Sequence, residues 1–91
     1  MKWVMEVLGT ATEIFDRPRY IENYDVDAYG GQGAADLTLD INKARKFNSF
    51  IDVMEAWKTQ STLRPFRPDG KPNRPLTAFS VSPKQDEEAG A

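Results

Sequence analysis

Ninety-one residues, 40% of them apolar and 29% charged, have the length and balance of one small folded domain. Twelve Lys and Arg stand against fourteen Asp and Glu, a formal charge of −2. The chain has neither Cys nor His, which excludes disulfides, thiolate zinc sites, cysteine nucleophiles and histidine acid–base chemistry.

Residues 2–8 read as a strand. Trp3, Met5 and Val7 share one face and Val4, Glu6 and Leu8 the other, and apolar residues on both faces predict an interior position. Residues 9–18 form a polar connection with a loose turn at 12–15. Pro18 restricts Arg17 to extended backbone, which predicts a second strand from about Arg19. Residues 25–33 are turn-rich, and Gly30, Gly31 and Gly33 are free to take positive φ. Residues 35–41 alternate, with Ala35, Leu37, Leu39 and Ile41 expected inward. A hairpin between 19–25 and 35–41 follows.

Residues 42–46 suit a short helical lead-in. The one clear helix comes next, with Asn48 or Ser49 as its cap and its end near Gln60. Phe47, Phe50, Ile51, Met54 and Trp57 fall at helical spacing and are expected to form its core stripe. Residues 64–75 hold four of the six prolines and cannot be regular structure. Residues 76–81 read as a last strand. From Ser82 onward the chain is polar and acidic, so the expected organisation is a domain at 1–82 and a disordered tail at 83–91.

The sum is an α+β fold: a small antiparallel sheet of about four strands with one amphipathic helix packed across one face. With no cross-link to staple so small a core, five Phe, three Tyr and two Trp must supply much of the burial, as monomer or homodimer. The longest apolar run, Trp3-Val4-Met5, is too short to span a bilayer, and no stretch reads as a secretory signal. A cytoplasmic protein with no membrane partner is expected.

Charge is segregated along the chain. Residues 1–42 carry three basic groups against eight acidic ones, whereas residues 43–74 carry eight basic against three acidic. Within the basic stretch, Arg64-Pro65-Phe66-Arg67-Pro68 is echoed by Lys71-Pro72-Asn73-Arg74-Pro75, with the turn pair Asp69-Gly70 between them. Prolines stiffen both blocks and splay their cations outward. One reading is a rigid cationic loop for an acidic groove, a phosphate backbone or an aromatic-lined domain. The other is a clamp whose prolines stack on Trp57 or Trp3 and whose arginines pair with the domain's own carboxylates.

Lys43, Arg45 and Lys46 form a second basic cluster, expected to extend the surface of Arg64, Arg67, Lys71 and Arg74, while Phe66 is placed to stack on a base. The acidic half supports a converse reading, a phosphate-backbone mimic built on Asp16, Glu22, Asp25, Asp27, Asp36 and Asp40. Asp25, Asp27 and Gly30 echo a calcium loop, but Tyr29 and Asp36 stand at the wrong ligand positions, and a hairpin loop explains the spacing better. Gly30-Gly31-Gln32-Gly33 lacks the Lys-Ser/Thr and helix of a phosphate cradle. An enzyme would need Asp25 and Asp27 in a pocket with raised pKa values. No catalysis, metal or cofactor is expected.

Ala44-Arg45-Lys46-Phe47, Met54-Glu55-Ala56-Trp57 and the run Arg67-Pro68-Asp69-Gly70-Lys71-Pro72-Asn73-Arg74-Pro75-Leu76-Thr77-Ala78-Phe79 carry a likeness. The chain resembles small, functionally uncharacterised proteins of bacteriophages and prophages, over roughly residues 20–82. The resemblance implies a phage accessory protein in the host cytoplasm, a class that commonly binds host or viral components and includes inhibitors of CRISPR defence. The expectation is therefore a non-catalytic binder of a host or viral protein, or alternatively of nucleic acid, through Arg64, Phe66, Arg67, Lys71, Arg74, Lys43, Arg45 and Lys46.

Overall fold

A computed structural model describes residues 2–86. Four strands, β1 (Lys2–Thr10), β2 (Ile14–Asp25), β3 (Ala34–Thr38) and β4 (Phe79–Asp86), form one antiparallel sheet in the order β3-β2-β1-β4. The main helix among the described residues, α1 (Phe50–Trp57), packs against β1 and β4. This is the α+β architecture the sequence predicts, with the two-faced apolar β1 at an interior position.

The core joins Met5 and Val7 of β1 and Ile21 of β2 to Val53 and Ala56 of α1, with Phe47 and Leu76 closing its ends. Each fully buried aliphatic side chain contributes about 1.5–3 kcal/mol. Val4, on the other face of β1, is fully buried as well. No helix among the described residues is long and apolar enough to cross a membrane.

Several boundaries differ from expectation. A tight turn in which Thr10 N–H donates to Glu13 O at 2.7 Å starts β2 at Ile14, before Pro18. Pro18 is tolerated because β3 pairs with β2 only from Tyr20 onward, so its missing N–H interrupts no ladder there. β3 stops at Thr38, whose Oγ1 accepts from Asp40 N, and Asp40 then caps a 3-10 turn at Ile41–Lys43. Leu39 is consequently 60% exposed rather than inward.

The helix is shorter than the apolar stripe suggests. Ser49 Oγ accepts from Asp52 N at 3.1 Å, and this cap sets a phase that turns Val53 and Ala56 to the sheet. Phe50 and Ile51, expected in the core, are 50% and 64% exposed. Phe47 precedes the cap and is not helical. It exchanges two backbone hydrogen bonds with Trp3, at 2.8 and 2.9 Å, beyond the Glu6–Tyr20 pair of the β1–β2 ladder. Leu76 is buried in a 3-10 turn, Pro75–Ala78, and not on a strand. β4 instead continues to Asp86, so residues 83–86 belong to the domain and not to an acidic tail; residues 87–91 lie outside the described chain.

Candidate functional site: a braced cationic loop

Residues 64–74 carry no helix or named strand, yet hydrogen bonds within the segment fix its backbone. Arg67 N donates to Lys71 O at 2.8 Å and Asn73 N to Pro65 O at 2.9 Å, which makes Phe66 and Pro72 a facing pair. Pro72 fits because a residue in the non-hydrogen-bonded pair of a small hairpin is asked for no N–H. Gly70, at φ +85°, closes the turn by donating to Arg67 O, and Asp69 Oδ1 accepts from Lys71 N.

This hairpin is anchored from behind. Asp27 accepts four hydrogen bonds from the segment that leads into it. Ser61 Oγ and Thr62 N each donate to Oδ1 at 2.7 Å, Leu63 N donates to Oδ1 at 3.1 Å, and Thr62 Oγ1 donates to Oδ2 at 2.7 Å. The Thr62 hydroxyl first, then the Ser61 hydroxyl and the two amides, hold the Asp27 carboxyl far below the usual carboxylate range. Asn73 adds a second tie, its Nδ2 donating to Gly31 O at 2.6 Å and to Arg64 O at 2.8 Å. Gln60 Nε2 reaches Pro65 O, and Ser61 N donates to Asn73 O.

The glycine run exists for this contact. A Cβ on Gly31 would lie 2.4 Å from the Arg64 Cβ, and one on Gly33 would lie 2.3 Å from the Pro75 Cβ. Both residues also sit at positive φ, +101° and +83°. Side chains are excluded twice over, by conformation and by space.

Around the hairpin, Arg64, Arg67, Lys71 and Arg74 are all exposed. Arg67 meets Asp69 at 3.2 Å in an exposed pair, which is worth about 0–1 kcal/mol. Arg64, Lys71 and Arg74 have no carboxylate within salt-bridge distance among the described residues. The clamp reading, in which the arginines are spent on the domain's own acids, therefore fails for three of the four cations. Arg64, Arg67 and Arg74 line one open cleft of about 430 Å³ with Gly31, Asn73 and Thr77, and no Asp or Glu lines it. Phe66 is 60% exposed beside it in the chain.

The second basic cluster does not join this cleft. Lys46 Nζ donates to Asp86 Oδ2 and to Ile41 O, each at 2.7 Å, which uses two of its three N–H groups within the fold. The Arg45 guanidinium lies 4.9 Å over the Tyr24 ring, and Lys43 is exposed at the end of its 3-10 turn. Arg45 and Lys46 border a separate depression whose lining includes Asp52 and Glu55 and shares no residue with the arginine cleft.

Asp25 Oδ1 accepts from Asp27 N, while Asp27 itself turns to Ser61, Thr62 and Leu63. Among the described residues no cluster of three potential ligands is placed to hold a metal. An acid–base pair at Asp25 and Asp27 needs raised pKa values, and that of Asp27 moves down. Of the phosphate-mimic set, Asp25, Asp27 and Asp40 each spend a carboxylate oxygen on the protein's own donors.

The sequence identified the four loop cations but not the residues that position them, namely Asp27, Ser61, Thr62 and Asn73. The available signals were a Ser-Thr pair after a helix end and an Asn between prolines, and neither names its partner. No protein-family model matches the chain, and no curated protein or solved structure matches it.

Proposed function

We propose that the protein is a non-catalytic accessory protein of bacteriophage type. In this reading it acts in the host cytoplasm and docks onto an acidic surface of a host or viral protein, inhibiting that partner. The observation that carries it is the set Arg64, Lys71 and Arg74, exposed and without a carboxylate partner among the described residues, on a hairpin closed by its own hydrogen bonds. A loop already ordered loses little conformational freedom on binding. Arginine and aromatic side chains are the residue types that dominate interface energetics, and complementary charge speeds and orients encounter.

The test is capture of partners from host-cell lysate by the wild-type chain and by the combined variant Arg64→Ala, Arg67→Ala, Lys71→Ala and Arg74→Ala. All four side chains are exposed, so the fold survives, as an unchanged amide spectrum outside the loop will show. Loss of the captured protein supports the reading, and equal capture rejects it.

Exposure of Phe66 beside the same cations supports a second reading, binding of single-stranded nucleic acid by stacking and phosphate contact. Four phosphate contacts give a log–log salt slope of about −3, from about −0.7 per contact. No mobility shift on DNA or RNA at low salt eliminates it.

A further inference from the structure

We infer that the arginine cleft is a phosphate-monoester site, built for a phosphorylated side chain on the docked protein. The inference rests on the docking reading above and specifies what that surface recognises.

Arg64, Arg67 and Arg74 line one cleft whose lining includes no acidic residue, and of the three only Arg67 has a carboxylate partner among the described residues, Asp69 at 3.2 Å. A guanidinium presents its N–H groups as a planar fork that matches carboxylate or phosphate oxygens two at a time. One carboxylate brings a single charge against two arginines, Arg64 and Arg74, that have no carboxylate partner among the described residues. A phosphate monoester carries close to two charges and three terminal oxygens at neutral pH, which is the better match.

The surroundings fit the same ligand. Asp69, the one acid of the hairpin, is paired with Arg67, and its backbone-directed Oδ1 also holds Lys71 N. Asp27, one turn away, is saturated by Ser61, Thr62 and Leu63. Neither carboxylate lines the cleft. The walls are fixed as well, because Asn73 ties Gly31 to Arg64 across the base of the loop. A phosphodiester backbone would instead spread its single charges along the loop, where Lys71 stands outside the cleft.

The test titrates the full chain with N-acetyl-O-phosphoserine methylamide, following the backbone amides of Gly31, Gln32, Asn73 and Thr77 at constant ionic strength. Dimethyl phosphate and a short oligothymidylate serve as phosphodiester arms. The phosphoserine probe is expected to shift these amides saturably, with affinity in about the millimolar range. Binding should strengthen between about pH 5 and 7 as the probe loses its second proton. The chain has no His or Cys, and the ionisable residues lining the cleft are the arginines Arg64, Arg67 and Arg74, with Asp69 facing Arg67, so that dependence belongs to the probe. Joint replacement Arg64→Ala and Arg74→Ala should weaken the probe by about tenfold or more. Joint replacement Arg17→Ala and Lys58→Ala removes the same charge elsewhere and should leave affinity within about twofold.

Absence of saturable shifts overturns the inference. So does equal or tighter binding of dimethyl phosphate or oligothymidylate, and so does equal weakening by the two double variants. If the phosphoserine probe fails while the four-alanine variant still loses its protein partner, the phosphate assignment falls and the docking reading stands. If capture survives the four alanines, the docking reading falls and the phosphate inference with it.

Discussion

Asp27 and Thr62 are joined twice: the Thr62 amide donates to one carboxylate oxygen and the Thr62 hydroxyl to the other, both at 2.7 Å. Through this pair the glycine-rich turn after β2 holds the segment that leads into the cationic hairpin. The arginines are thus displayed by a brace that begins on the far side of the chain.

Replacing Asp27 by Asn removes one of the two carboxylate acceptors and faces an amide donor toward donors. Thermal stability should fall, and the Thr62 and Leu63 amides should exchange faster with solvent. Because the folded pKa lies below the unfolded value of about 3.9, the contribution is complete above that pH and is lost as pH falls below it. Melting curves against pH should therefore show the gap between wild type and Asp27→Asn narrowing in acid. A gap constant down to strongly acidic pH would contradict the brace.

Alanine at three glycines separates conformation from space. Gly30 has positive φ and open surroundings, so Gly30→Ala should cost about 1–2 kcal/mol. Gly31→Ala and Gly33→Ala add a collision with Arg64 or Pro75, a further cost of about 1–3 kcal/mol. Denaturant melts of the three variants should rank Gly30→Ala as the mildest.

Lys46 is a structural cation. Its ammonium joins Ile41 O to the buried Asp86 at the end of β4. Lys46→Ala should destabilise the fold by about 1–3 kcal/mol, or about 4–8 °C in Tm per kcal/mol. It should leave capture of the protein partner intact. Retained stability with lost capture would return Lys46 to the docking surface.

Trp57 Nε1 donates to Phe79 O at 3.1 Å and so ties the helix end to the start of β4. Trp57→Phe keeps most of the ring and deletes the donor, with an expected loss of about 0.5–1.5 kcal/mol in urea unfolding.

The parts of the fold that depend on neighbouring residues were readable in the sequence. The two apolar faces of residues 3–8 located the interior strand, and the cap candidates Asn48 and Ser49 located the helix start to within one residue, Ser49 being the cap. Errors arose where a distant partner decides. Phe47 has the spacing of a helical core residue, but pairing with Trp3 holds it in extended backbone. Residues 83–86 have the composition of a loose tail, but a nine-residue β1 offers them a ladder and Lys46 neutralises Asp86. The loop cations were legible as a charged, proline-stiffened stretch. Their brace was not, since Asp27 and Ser61 are separated by 34 positions and no local pattern pairs a turn carboxylate with hydroxyls after a helix.

The account depends most on a hairpin that is stiff before any partner arrives. Backbone order parameters from nitrogen-15 relaxation on the free protein measure this at the amides of Arg67, Gly70, Lys71 and Asn73, all of which donate within the loop. Values of about 0.8 or higher, level with the strands, are predicted, and values below about 0.6 would show a flexible linker and contradict the account.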